Sequence, residues 1–343
     1  FVIIFFSTLY AKNLDKFNNA DSVSNYFSGI LLLNDNQYTE SFEFLKKLNG
    51  LETSHINYSV KYLYSLVNSG NFNEAFNYSK KLEKQNLDSF ESHLITGIFH
   101  LKHSNLDLAK RHFLKAKKKS LKFVLNNYVS NSLYNWSNLE NLNLISASKE
   151  LEKIDVRFNN LKEIQSVFLN CYFKNSNTRH LYNKLISNKK TDFSRYNYFY
   201  ASYIASSKNI DEAKNIIKDA LKIYPRNLLL NQYLIDLNEK KNINTFNCIK
   251  ENHVISEILY ITANALSSQS AYPLSNFYLN LAKYLNKDFH SYDTLLAENF
   301  YKINNFKKAK KIYKNLSKKG DAFKWYATKQ LARIFVQEEN KNK

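Results

Sequence analysis

Residues 70–84 read GNFNEAFNYSKKLEK, and residues 104–118, 34 positions further on, read SNLDLAKRHFLKAKK. Laid over one another they place Phe72 on Leu106, Ala75 on Ala109 and Leu82 on Ala116, and one step back the same columns hold Tyr38, Ser41 and Leu48. Gly29, Leu63 and Gly97 form a fourth column at the same spacing. Agreement in side-chain size over several units marks a chain built by stacking copies of one supersecondary element. The frame returns late in the chain. Residues 208–225, KNIDEAKNIIKDALKIYP, set Ala213 twelve positions after Ala201, and residues 304–316, NNFKKAKKIYKNL, set Ala309 34 after Ser275, with Ala263 and Ala297 in the matching columns.

The columns have a steric reading. Two antiparallel helices joined by a short turn approach closely where small side chains meet, so Gly29, Gly97, Ala201 and Ala297 are expected to face the small residue twelve positions later. Phe113, Ile217 and Tyr313 follow the second small column by four residues and are expected to pack against the next unit. Between the halves lie Asn68-Ser69-Gly70-Asn71, Ser207-Lys208-Asn209 and Asn304-Asn305, residue types that end helices and make tight turns. Only 5 Gly and 2 Pro serve 343 residues, too few to turn the strands of a sandwich, barrel or wound sheet, so the chain is expected to be all-α. The isolated glycines also exclude a dinucleotide or phosphate loop.

These stretches resemble the tetratricopeptide repeat family. The second-helix signature is seen in the segments quoted above, and the first-helix signature in ESHLITGIFHLKH (91–103) and TLLAENFYKIN (294–304). The resemblance implies an α-solenoid, a right-handed superhelix of about nine helix-turn-helix units, with units starting near Ser22, Ile56, Phe90, Ser194, Ser256 and His290. It further implies degenerate units around Ala147 and Leu181, a shortened one around Phe246, and a capping helix from Lys324 to Glu339. The expected divisions are N-terminal units over 12–123, degenerate units over 124–192, C-terminal units over 193–323 and the cap and tail over 324–343.

Composition adds limits. Hydrophobic residues make up 44% and aromatics 15%, with 25 Tyr and 25 Phe, enough for a large core. The net charge is +19, but Asn, Lys, Ile, Tyr and Phe are all used heavily, the pattern of AT-rich codons, which raises the lysine count without a basic partner having selected it. Met is absent, so the chain is expected to begin upstream of Phe1. Residues 1–11, FVIIFFSTLYA, are too short to span a bilayer and read as the remnant of a secretory signal cut near Ala11, which places the protein in the periplasm of a bacterium. Cys171 and Cys248 show no metal spacing and no disulfide framework and are expected as small buried residues.

No nucleophile elbow, HExxH or paired-carboxylate motif is present, so neither an enzyme, a cofactor nor a metal is expected. His93, His100, His103 and His112 cluster in one unit, yet no third-ligand carboxylate is patterned beside them, and they are read as satisfied or exposed. In a tetratricopeptide-like stack the first helices line the concave groove. The groove columns carry Tyr26, Ile30, Val60, Tyr64, Leu94, Ile98, Leu101, Tyr198, Tyr260, Asn264 and Tyr301, an aromatic and amide surface suited to a protein or peptide partner. The expected function is thus a non-catalytic interaction scaffold, with peripheral envelope association. The alternative uses basic ridges on second helices, Lys110-Arg111, Lys115, Lys117-Lys118-Lys119 and Lys122, then Lys307-Lys308, Lys310-Lys311 and Lys314, expected to face outward. Such ridges would bind anionic lipid, envelope polymer or, with less support, nucleic acid.

Overall fold

The computed structural model describes residues 17–120, 123–188, 190–241 and 245–341, and every regular element among them is helical. The expected signal, 1–11, lies outside the described residues. Six hairpins follow one another: α1 (Ala20–Asn34) with α2 (Tyr38–Lys46), α3 (Ile56–Asn68) with α4 (Phe72–Lys84), α5 (Phe90–Lys102) with α6 (Leu106–Lys119), α7 (Val124–Trp136) with α8 (Leu144–Glu152), α9 (Asn159–Tyr172) with α10 (Thr178–Ile186), and α11 (Tyr196–Ser206) with α12 (Ile210–Ile223). Helix α13 (Leu228–Asn238) is a half unit, followed by irregular chain through Phe246 and Cys248. Two more hairpins, α14 (Glu251–Ser268) with α15 (Tyr272–Leu285) and α16 (Ser291–Lys302) with α17 (Phe306–Leu316), lead to α18 (Asp321–Lys341). The cap packs on α13 and α17, where Ala322 N–H donates to Gln232 Oε1 at 3.0 Å.

The repeat is written into the turns. Asn36, Gly70 and Ser104 sit 34 apart and all have positive φ, as do Lys174 with Lys208 and Ser270 with Asn304 at the same spacing. Each residue closes a first helix in the left-handed conformation and reverses the chain into the second. The twelve-residue offset across a hairpin is equally direct: Ser41 Oγ donates to Gly29 O and Ser275 Oγ to Ala263 O, both at 2.7 Å, and Asn135 Nδ2 donates to Ala147 O at 3.1 Å.

One packing expectation changes. A Cβ at Gly97 would lie 2.4 Å from Phe113 Cε1, and one at Gly29 would lie 2.6 Å from Leu45 Cδ2. The glycines therefore make room for a large side chain one turn beyond the small column. Phe113 packs back into its own hairpin and not, as expected, only onto the next unit.

The larger departure is long-range. Helix α15 packs against α3 and α5, and α14 packs against α7, so the late repeats fill the concave face of the early ones. Phe277 meets Tyr64 with ring centroids 4.7 Å apart, and Tyr284 stacks on Phe72 at 4.1 Å. A buried polar network fastens the seam. Asn276 Nδ2 donates to Tyr38 Oη at 2.9 Å, Asn299 Nδ2 donates to Asn276 Oδ1 at 2.9 Å, and Ser267 Oγ donates to Asn299 Oδ1 at 2.6 Å. Lys308 reaches across to Asn36 O at 2.7 Å, its ammonium 4.8 Å from the Tyr38 ring centre. Every member of such a network must find a partner, because a buried orphan costs about 1–3 kcal/mol. The network thus favours one docking register.

Cys171, at the end of α9, and Cys248, in the irregular half unit, form a disulfide with Cα atoms 6.0 Å apart. This corrects the expectation of two independent buried cysteines. A separation of 77 residues carries no motif. The superhelical path brings the two together and ties the shortened unit, which lacks a second helix, to α9.

Candidate functional site

The structure separates the eleven groove residues. Leu94, Ile98, Leu101 and Tyr198 are 4% exposed or less and belong to the core. Tyr64 is half-buried beneath Phe277. Tyr26 and Ile30 are half-buried at the N-terminal edge, where Tyr26 Oη lies 2.7 Å from His55 Nε2. Val60 is half-buried on α3, and Tyr301 is covered by the Arg333 guanidinium, 5.3 Å from its ring centre. Tyr260 and Asn264 share a cavity. Two causes act: in the early repeats Tyr64 meets Phe277 of α15 where a partner was expected, and in the late ones Tyr198 packs against Tyr233 and Phe289.

That cavity, about 440 Å³, lies where the concave face remains open, between the N-terminal ends of α11 and α13 and the middles of α14 and α16, with Phe323 of the cap at one side. Its helix starts are locally fixed. Asp192 Oδ1 accepts from Ser194 N–H at 2.9 Å ahead of α11, and Asn227 Oδ1 accepts from Leu230 N–H at 3.2 Å as the N-cap of α13. Leu228, Leu229 and Ile261 supply apolar wall, and Asn160, Asn227 and Asn264 supply side-chain amides. An amide both donates and accepts, so it can pair with a peptide unit without demanding a particular side chain. The lining contains neither histidine nor cysteine.

Arg195 and Glu257 hold the floor. The guanidinium donates twice, Nε to Oε1 at 2.7 Å and Nη2 to Oε2 at 2.8 Å, and its Cζ sits 3.9 Å from the centre of the Tyr260 ring. Glu257 is fully buried. Burial pushes its carboxyl up and the guanidinium opposes this. Because arginine stays protonated, the pair is carried as guanidinium and carboxylate. Sequence reasoning missed Arg195 and Glu257, since they come from different units and the column they share, six residues before Ala201 and Ala263, holds no recurring residue type.

Lys122 lies outside the described residues, and several of the other ridge residues are engaged. Lys119 pairs with Asp88 at 2.9 Å, Lys115 with Glu83 at 2.5 Å and Lys310 with Glu338 at 2.8 Å. Lys117 lies 5.3 Å from the Tyr134 ring centre. Lys308 does not face outward as expected, being taken up by the seam.

The histidine cluster also differs from expectation. Glu83, from the preceding unit, stands beside His93 and His112 with the three ligand atoms within 4.8 Å of one another, so a third-ligand carboxylate is present after all. Burial lowers both imidazoles, His112 to about 4.

No family model and no curated protein matches the sequence. Among solved structures, a Naa15/Naa10 complex bound to HypK-THB overlays 92% of this chain at 14% identity and a TM-score of 0.24. This chain spans little more than half of that one, 55%. A monomeric IFIT1 mutant with Gppp-AAAA overlays 89% of this chain and 71% of its own at 17% identity and a TM-score of 0.25. Both overlays are loose, and the fold assignment stands on the turns and hairpins. No described helix is long and apolar enough to cross a membrane. The recurring left-handed turn, the twelve-residue hairpin contacts and the C-terminal cap make the chain a tetratricopeptide-like α-solenoid.

Proposed function

We propose that the protein is a non-catalytic scaffold of the bacterial envelope that holds an extended segment of a partner protein in the channel between α11, α13, α14 and α16. The observation that carries this reading is the division of the concave face: α15 occupies the early half, while the late half keeps an open channel with apolar walls and amide groups. A preformed channel binds an extended segment without first ordering the receptor, which lowers the cost of association. Export is supported by the apolar run at 1–11 and by the Cys171–Cys248 bond, since disulfides persist in oxidising compartments. The electrostatic alternative has less behind it, because several ridge lysines already pair with carboxylates of the chain.

The test is site-specific photo-crosslinking in living cells. A photoreactive side chain at exposed Asn264 should capture a partner, and one at Lys118 on the convex side should not. Thr294→Trp, which fills the channel, should suppress that capture. Capture from position 118 alone, abolished by moderate salt, would replace the channel reading with the electrostatic one.

A further inference from the structure

We propose that Glu83, His93 and His112 form a binding site for a divalent transition-metal ion of the zinc class, which staples two neighbouring repeats. Glu83 stands at the end of α4, in one hairpin, while His93 on α5 and His112 on α6 belong to the next. His93 is 2% exposed. Its Nε2 lies 3.0 Å from Asp88 Oδ2, and Lys119 holds that carboxylate in turn at 2.9 Å. With its proton on Nε2 and donated to Asp88, the ring presents a lone pair at Nδ1. That Nδ1 is 3.2 Å from His112 Nδ1.

The arrangement has the parts of a carboxylate–histidine–metal triad. The outer carboxylate fixes the tautomer and orientation of the ligand and raises its basicity. Two nitrogens bound to tetrahedral zinc at about 2.0–2.1 Å stand about 3.3–3.4 Å apart, so the observed pair needs to open by only about 0.1–0.2 Å. Nitrogen donors with one carboxylate select a borderline transition metal over calcium or magnesium, which take oxygen sets. Lys115 now pairs with Glu83, but its side chain is 52% exposed and can release the carboxylate to water. Glu83 and His112 are both partly exposed, which gives an ion its entry path and leaves room for a water as fourth ligand. A metal here would lock the angle between two units, the quantity that sets superhelical curvature.

The test titrates the untagged, chelator-stripped full chain with zinc chloride, reading heat and thermal midpoint. One equivalent should bind and raise the midpoint, while calcium chloride does neither. Glu83→Gln and His112→Gln, at partly exposed positions, should each weaken zinc binding at least tenfold with the helical signal kept. Asp88→Asn should weaken it about tenfold at unchanged stoichiometry, as expected for a residue that positions His93. Absence of zinc binding by the native chain would overturn the proposal. Undiminished binding in both ligand variants would also overturn it, by assigning the ion to another pair such as His100 and His103.

Discussion

Helix α15 either fills the early concave face or it does not, and a double-mutant cycle on Tyr64 and Phe277 reads that contact alone. Phe277 is 1% exposed and meets Tyr64 edge to face, the ring planes at 65°. Phe277→Ala removes a buried ring, at about 3–5 kcal/mol. Part of that loss comes from neighbours within the late repeats, Tyr278 among them, and would occur whether or not the seam formed. The part belonging to closure is the coupling between the rings, about 0.5–1.5 kcal/mol for an aromatic pair. Tyr64 also approaches Glu91 through its hydroxyl at 3.4 Å. That interaction is lost in both Tyr64-deficient corners of the cycle and cancels. Urea unfolding followed by circular dichroism, with a common slope for the four proteins, supplies the free energies. The double variant should be less destabilised than the sum of the singles by about 1 kcal/mol. Additivity within about 0.3 kcal/mol would mean that the rings do not touch, and the self-filled groove would fall with them.

Three further outcomes follow from local geometry. Gly97→Ala places a methyl against the fully buried Phe113 ring, which must shift, and should destabilise by about 1–3 kcal/mol, seen as a lower thermal midpoint. Arg195→Met leaves Glu257 buried without its partner and should cost about 3–5 kcal/mol at neutral pH, whereas the double change Arg195→Met with Glu257→Leu should recover most of it in the same thermal melts. His253 accepts from Asn247 N–H at 3.0 Å, and burial pushes its imidazole down to about 4. The unfolded chain takes that proton below about pH 6.5 and the native chain does not. Stability should therefore hold above that point and fall as pH drops towards 4, and His253→Asn should flatten this part of the midpoint-versus-pH curve.

The sequence made the hairpins legible because each is a local object. The columns at Ser41, Ala75 and Ala109 and the turns at Gly70 and Lys208 record contacts between residues about a dozen positions apart, and these recur in several units. The capping helix was visible for the same reason and begins three residues earlier than expected, at Asp321. What the columns do not hold is the sum of the small rotations between units. That sum decides that Asn276 meets Tyr38, that Cys171 meets Cys248 and that Glu83 of one hairpin faces the histidines of the next. Tyr64 therefore read as a groove residue from its position within a unit, although its exposure is set by α15, two hundred residues away. Tyr260 and Asn264 line an open cavity because the later helices, α16 and the cap, stand around it without filling it. The Arg195–Glu257 pair left no periodic trace: both lie six residues before a small-residue column, but the same position holds Val23, Asn57, Glu91 and Ser291 in other units.

The division of the concave face is tested most directly by placing a photoreactive phenylalanine analogue at Tyr284, whose ring stacks on Phe72. Irradiation of the purified monomer followed by peptide mapping should find the cross-link within the chain, joining α15 to the start of α4. Cross-links confined to α14 and α16, with none to residues 68–76, would show that the early groove is open and would contradict the account.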